Sequence, residues 1–333
     1  GTPPNWDPPE LILATHGTPG RVAGALGGAV GGVWGGPLSV AVFGVPRKGL
    51  GELLAVLGGP CRGLRGRLRL HVVVGAAAPP PPPAGSPNSG PPPAPGGCRG
   101  ALRRLAAADP PSYTLGVPYP GNLLGGPTQN GGPGPPQIGG RFVLLLDADV
   151  VPSRGLRDEF LGPGAPLDRV VFVLPAFEVR EGTRVPGTKA ELQRLWALGD
   201  ARPFYGALCP RCQAPTGYGR WWALPPAPHL RVAYEAPWQD PWEPFYVGPA
   251  PDVPPFDQRF LQYGFNRISQ ACELHVAGFR FAVLDGAFVV HRGFKAAGGF
   301  HGGREAELQR NRQLFRRFRA ELRQRYPRSP RHC

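Results

Sequence analysis

The stretch RFVLLLDADVVPS, residues 141–153, constrains the fold more than any other part of this chain. Phe142 to Leu146 run without a polar break, the pattern of a strand buried on both faces, and two carboxylates, Asp147 and Asp149, follow at its end. Strands of that kind belong to mostly parallel sheets covered by helices. The chain offers others: ELILATH (10–16), PLSVAVFG (37–44) and RLRLHVVVG (67–75) precede it, and RVVFVLPAFEV (169–179) reads as a fifth. The helix-compatible GLGELLAVL (49–57) lies between two of them, so the spacing suggests βαβ units and an α/β fold.

The second half is mixed. KAELQRLWALGD (189–200) predicts a helix, an aromatic-rich stretch runs from Phe204 to Tyr246, and FRFAVLDGAFVVHRGFK (279–295) reads as two short strands around a turn at Asp285 and Gly286. In RNRQLFRRFRAELRQRYPRSPR (310–331), Leu314, Phe315, Phe318 and Leu322 fall at helical spacing, which predicts an amphipathic helix with a solvated basic face.

With 333 residues and 41% hydrophobic content the chain can bury a substantial core as one large α/β domain or two smaller ones. Its 50 glycines and 46 prolines are far above ordinary usage and are densest in 75–97 and 125–140, which read as low-complexity insertions that cannot pack. The net charge of +14 is almost all arginine, with lysine only at Lys48, Lys189 and Lys295, and methionine is absent throughout. That bias belongs to the whole composition, so nucleic acid is not expected as a partner. Six cysteines fit a secretory-pathway protein with disulfides, in a connectivity the sequence leaves open; CPRC at 209–212 is alternatively half of a zinc site. No apolar run is long enough to cross a membrane.

Alternate residues of an extended strand point the same way, roughly 7 Å apart by strand rise, so Asp147 and Asp149 share one side of an apolar platform. Like charges so placed repel unless a cation or water intervenes. In an open α/β sheet the ligand site lies at the carboxyl ends of the strands, and carboxylate oxygens there suit Mg²⁺ or Mn²⁺ bound to a phosphorylated substrate. His291, ending the apolar run FVVH, is a candidate third ligand. Solvated acids opening a turn, a helix cap, and a structural histidine are the alternatives.

The segments RPFYGALCPRCQAPTGYGRWWALP, PWQDPWEPFYV and FDQRFLQYGFNRISQACELHVAGF, between Arg202 and His291, are long and idiosyncratic. They resemble the Golgi glucuronyltransferases of the α-dystroglycan O-mannosyl glycan pathway, a family related to the glucuronyltransferase domain of the LARGE enzymes. The likeness extends from LILATHG to YPRSPRHC. It implies a GT-A glycosyltransferase fold, a Rossmann-like mixed sheet flanked by helices in a single catalytic domain over 10–333, preceded by a stem remnant at 1–9. It also implies a Golgi type II membrane protein whose anchor lies upstream of Gly1.

The implied reaction is an inverting, Mn²⁺-dependent transfer of glucuronic acid from UDP-glucuronic acid to a β-xylose acceptor on the O-mannosyl glycan of α-dystroglycan, priming elongation of matriglycan by LARGE-type enzymes. Transfer of N-acetylglucosamine in poly-N-acetyllactosamine synthesis, or a non-catalytic glycan-binding or scaffold role, are the alternatives. Asp147, Asp149 and His291 become the metal ligands, and Lys295 adds charge near the diphosphate. A carboxylate in an aromatic-lined pocket serves as the base: Glu243 first, with Asp240 and Glu273 as alternatives. Thr15, His16 and Asn122 are expected beside the nucleotide, and Arg202 beside the glucuronate carboxylate. The chain departs from the family pattern at 125–140, whose glycines and prolines forbid the helix expected before the DxD strand, and in the glycine-diluted segment 20–36.

Overall fold

The computed structural model describes residues 10–44, 47–74, 96–108, 119–124, 140–160, 169–296, 298 and 302–333. The expected stem remnant falls outside them. So do the two Gly/Pro segments, except at their ends, where Gly97 opens the helix Gly97–Ala107 and Gly140 opens a strand.

The first four apolar runs form β1 (Glu10–Gly17), β2 (Leu38–Phe43), β3 (Leu68–Val73) and β4 (Gly140–Asp147), paired in parallel as expected. The fifth run does not form one strand. It breaks at Pro175 into β6 (Val170–Leu174) and β7 (Ala176–Val179), which enter different sheets. Proline has no N–H for a ladder, and here its free carbonyl accepts from Val289 at 3.0 Å. The short β5 (Val150–Pro152), β8 (Ala201–Pro203), β9 (Arg231–Ala236), β10 (Phe245–Pro249), β11 (Arg280–Asp285) and β12 (Val289–Arg292) complete the described strands.

One sheet has the order β3-β2-β1-β4-β10-β6-β11-β9, the other β5-β12-β7-β8. The larger sheet is mixed, because β10 runs antiparallel to both β4 and β6. The two short strands expected around Asp285 and Gly286 are β11 and β12, but they are not a hairpin. The turn hands the chain from one sheet to the other, with Gly286 at φ 90°, and a core that includes Leu144, Val150 and Val289 spans both.

Helix entry follows local chemistry. Thr188 and Glu191 form a reciprocal capping box at the start of Lys189–Ala197, the helix expected there. Its first residue, Lys189, is buried and donates to Asp285 at 2.6 Å. In the glycine-diluted segment, a side chain at Gly27 would meet the Cβ of Leu102 at 2.9 Å, so glycine permits the close approach of this stretch to Gly97–Ala107.

All six cysteines are paired, as Cys61–Cys98, Cys209–Cys212 and Cys272–Cys333. CPRC is therefore a local disulfide, not half of a zinc site.

The terminal helix, Arg304–Arg325, buries Phe315, Phe318 and Leu322 against Phe260, Ile268, Cys272 and Val276, leaving its arginines largely outward as the spacing implies. Asn311 is a buried polar residue of this helix: Nδ2 donates to the carbonyls of Leu261, Tyr263 and Gly264 at 2.9, 3.0 and 3.0 Å. These bonds hold a loop in which Gln262, Gly264 and Phe265 all have positive φ. Removing the amide leaves buried carbonyls unsatisfied. Asn311→Ala is expected to lower the free energy of unfolding by about 1–3 kcal/mol, measured by urea denaturation.

Candidate active site

Parallel pairing sets His16 of β1 opposite Asp147 of β4, so the two strands end abreast. The chain turns through Ala148 and Asp149 into β5, whose Val150 pairs with His291 of β12. That register brings a histidine from 142 residues away to the second acid, with Nε2 3.2 Å from Asp149 Oδ2. The other ring nitrogen, Nδ1, donates to the Gly293 carbonyl at 2.8 Å. A carbonyl only accepts, so Nδ1 carries the proton, and in the neutral ring the Nε2 lone pair faces the carboxylate. Two acceptors at that distance need a proton or a cation between them.

Positive charge surrounds the acids. Asp149 has Arg21 Nη1 at 3.6 Å and Lys295 Nζ at 4.0 Å. Burial opposes its ionisation, but the His291 hydrogen bond and the Lys295, His291 and Arg21 charges outweigh it and hold the carboxyl far below its usual range. Asp147 is held instead by Arg267, whose Nη1 lies 2.9 and 3.1 Å from its two oxygens. Among the described residues no group of three or more His, Cys, Asp or Glu stands ready to hold a metal. Asp149 and His291 have converged, whereas Asp147 is paired with Arg267.

A cavity of about 520 Å³ opens beside the carboxyl ends of β1 and β4, lined by His16, Asp147, Glu243, Arg267 and Lys295 together with aromatic side chains that include Phe204, Tyr205 and Tyr263. Glu243 comes from the turn before β10 and is fixed through its backbone. Its N–H donates to the Cys212 carbonyl and its carbonyl accepts from Gln213 Nε2, both at 2.8 Å. The carboxylate itself makes no hydrogen bond to any described residue. Burial raises its pKa, the Arg267 charge opposes that shift, and the Asp147 charge adds to it. His16, whose Nδ1 lies 2.8 Å from the Tyr119 hydroxyl, is pushed the other way, toward the neutral ring, chiefly by burial.

Arg267 is the residue that sequence reading missed. The helix Asn266–Val276 delivers it in its first turn, over the Phe245 ring at 4.2 Å. Burial works against its charge, but Asp147 and Glu243 overcome that and keep the guanidinium ionised. The motif around it, FNRISQ, contains nothing that marks this arginine among so many others. Tyr205 and Tyr263, whose hydroxyls lie 2.9 Å apart across the cavity wall, went unmarked for the same reason.

Other expected site residues have different positions. Thr15 points away from the cavity lining; its hydroxyl is buried with no hydrogen-bond partner among the described residues. Asn122 lines the cavity, but its amide is spent on the Asp257 carbonyl and on Asn266, both at 2.8 Å, so it anchors the wall. Arg202 lies outside the cavity: it pairs with the fully buried Glu178 at 2.8 Å and donates to the Lys295 carbonyl at 2.8 Å. Asp240 is exposed and does not line the cavity. Glu273 is buried against Arg325 and the Tyr326 hydroxyl, tying the helix Asn266–Val276 to the terminal helix.

A mixed α/β sheet that gathers acids, cations and a lone carboxylate at the carboxyl ends of its strands is built as an enzyme's site is, and this chain is a glycosyltransferase. It belongs to the family described as glycosyl-transferase for dystroglycan, which it matches over residues 10–327. It is 45% identical to human β-1,4-glucuronyltransferase 1 over 339 residues, covering 98% of this chain and 78% of that one. It is 39% identical to the protein of the same name from Danio rerio, over 97% of this chain and 75% of the relative. The xylosyl- and glucuronyltransferase LARGE2s of Gallus gallus is 32% identical over 155 residues, 45% of this chain and 20% of that protein.

The Glu243 environment has a consequence for stability. A carboxyl whose folded pKa is raised costs stability above that value, where both states are ionised, and costs nothing below the ordinary glutamate range, where both are protonated. Glu243→Gln is therefore expected to raise the melting temperature at neutral pH. The gain should shrink to nothing as the pH falls through the titration of Glu243, followed by calorimetry.

Proposed function

We propose that this chain transfers glucuronic acid from UDP-glucuronic acid to a β-linked xylose on the O-mannosyl glycan of α-dystroglycan, with inversion at the anomeric carbon and with Mn²⁺ as cofactor. The observation that carries this reading is the carboxylate of Glu243, half-buried in an aromatic-walled cavity and without a hydrogen bond to described protein groups, facing the same space as Asp147 and Lys295. Its 45% identity to human β-1,4-glucuronyltransferase 1 supports the choice of donor.

Inversion in a single displacement needs a base on the acceptor side. Glu243 accepts the proton of the acceptor hydroxyl as that oxygen attacks the anomeric carbon, and a raised pKa suits it to the task near neutral pH. Phe204, Tyr205 and Tyr263 offer faces and hydroxyls that orient sugar rings. Negative charge grows on the departing diphosphate, and Lys295 stands on that side of the cavity. Asp149 and His291, with Asp147 once released from Arg267, are the residues to hold the metal; their oxygen and imidazole donors already meet at 3.2 Å and suit Mn²⁺. When bound, that ion stabilises the charge on the leaving diphosphate. The Gly293 carbonyl holds the His291 tautomer that leaves Nε2 free to ligate.

The same reading assigns the chain to the Golgi lumen, upstream of LARGE-type enzymes that extend its product. Three disulfides fit an oxidising compartment. No helix among the described residues is long and apolar enough to cross a membrane.

The test is a donor screen with Mn²⁺ and a β-xyloside acceptor, followed by mass spectrometry and by NMR of the product linkage. Glucuronic acid is expected to be transferred in preference to N-acetylglucosamine and glucose, giving a β-linkage. Glu243→Gln should lower kcat by about 10²–10⁴-fold. Asp149→Asn should abolish metal-stimulated transfer, and unchanged transfer in that variant would contradict the metal assignment.

A further inference from the structure

Arg267 stands between the two functional halves of the cavity. On one side its Nη1 engages both oxygens of Asp147, at 2.9 and 3.1 Å. On the other it lies within electrostatic reach of Glu243. In a single displacement the anomeric carbon lies between the leaving diphosphate, on the Asp147 and Lys295 side, and the attacking hydroxyl, on the Glu243 side. The donor sugar therefore occupies the space that Arg267 faces.

Most of the guanidinium is unused. Asp147 is held through Nη1 alone, Nε is buried with no hydrogen-bond partner among the described residues, and Nη2 makes no hydrogen bond there either. Phe245 covers one face of the group at 4.2 Å, which fixes its plane and directs the remaining N–H groups along it. Nε is closed off by protein, so the accessible part of the group is its terminal nitrogens, whose planar edge suits a carboxylate. The other arginine considered for this role, Arg202, is committed to Glu178 at 2.8 Å. Arg304, from the terminal helix, lies over the Tyr263 ring at 4.8 Å with Nη2 3.4 Å from its hydroxyl.

We propose that Arg267 is the residue that reads the carboxylate of the donor sugar, so that the chain selects a uronic acid donor over the corresponding neutral hexose. This rests on the donor reading proposed above. A neutral hydroxymethyl group at the same place offers the guanidinium no charge and a single acceptor, and that loss supplies the discrimination. Lysine cannot substitute, since it offers a point charge without the fork.

The experiment compares equilibrium binding of UDP-glucuronic acid, UDP-glucose and UDP, with Mn²⁺ and without acceptor, to the whole chain and to its Arg267→Gln and Arg267→Lys variants. Wild type is expected to bind UDP-glucuronic acid at least about 10-fold more tightly than UDP-glucose. In Arg267→Gln that ratio should fall to near one while UDP itself is still bound, which also reports an intact site. Arg267→Lys should keep UDP affinity and recover only a small part of the ratio; where the glutamine variant fails to fold, the lysine variant carries the comparison. A ratio that survives either substitution overturns the proposal. So does a parallel loss of UDP, which would assign the arginine to the diphosphate. A wild type with no preference would instead overturn the glucuronate donor reading itself, and is recognised by being present before any substitution.

Discussion

Two carboxylates two residues apart can share the end of a buried strand only if each is given its own positive partner, and the rest of the site is arranged around that requirement. Asp147 takes Arg267 from the first turn of the helix Asn266–Val276. Asp149 takes Lys295 and Arg21 from two other places in the chain, with the His291 ring 3.2 Å away from a third. The helix reaches Asp147 because its apolar side packs, through Ile268, Cys272 and Val276, on the terminal helix. The histidine reaches Asp149 because β5 and β12 pair in one register; a slip by one residue would turn His291 to the opposite face of the sheet.

That arrangement also explains where chemistry can happen. Charges held in a partly buried cleft are screened less than on the surface, so Asp147, Arg267 and Glu243 influence one another across the cavity. Burial is the main cost of keeping Glu243 ionised there, Arg267 offsets part of it, and the resulting upward shift is what the proposed proton acceptor would use. The wall that carries Glu243 is stiffened by the Cys209–Cys212 disulfide, since the carbonyl of Cys212 accepts the Glu243 N–H. The opposite wall depends on Asn311, which gathers three carbonyls of the loop bearing Tyr263 and Gly264.

Much of this was legible in the sequence, for physical reasons that differ by element. β1, β2 and β4 are buried on both faces, so their apolar runs are uninterrupted and their order along the chain implies parallel pairing. The terminal helix declared itself by the spacing of Phe315, Phe318 and Leu322. The break at Pro175 was visible as a proline but not as a change of sheet, because a single residue cannot say which neighbour its strand will find. β9 was not legible at all: Arg231 and Val232 are exposed, and an edge strand lacks the burial pattern that marks a strand from sequence. In the site, Asp147, Asp149, His291, Lys295 and Glu243 could be marked from motif and family likeness. Arg267 could not, because an arginine becomes special only through the acids that folding places beside it, and the pairing of Arg202 with Glu178 could not be read either, because Glu178 lies on a different strand of the smaller sheet.

The central claim is that the acids at the end of β4 and the histidine of β12 act together as one cation-binding site for a nucleotide diphosphate. Its most direct test is the binding of Mn²⁺ in the presence of UDP, followed by the loss of the free-ion signal in electron paramagnetic resonance, for wild type, Asp149→Asn and His291→Ala. The account predicts that wild type binds the ion with UDP and that each substitution weakens binding by about 10-fold or more. Equal Mn²⁺ binding by all three proteins would contradict it.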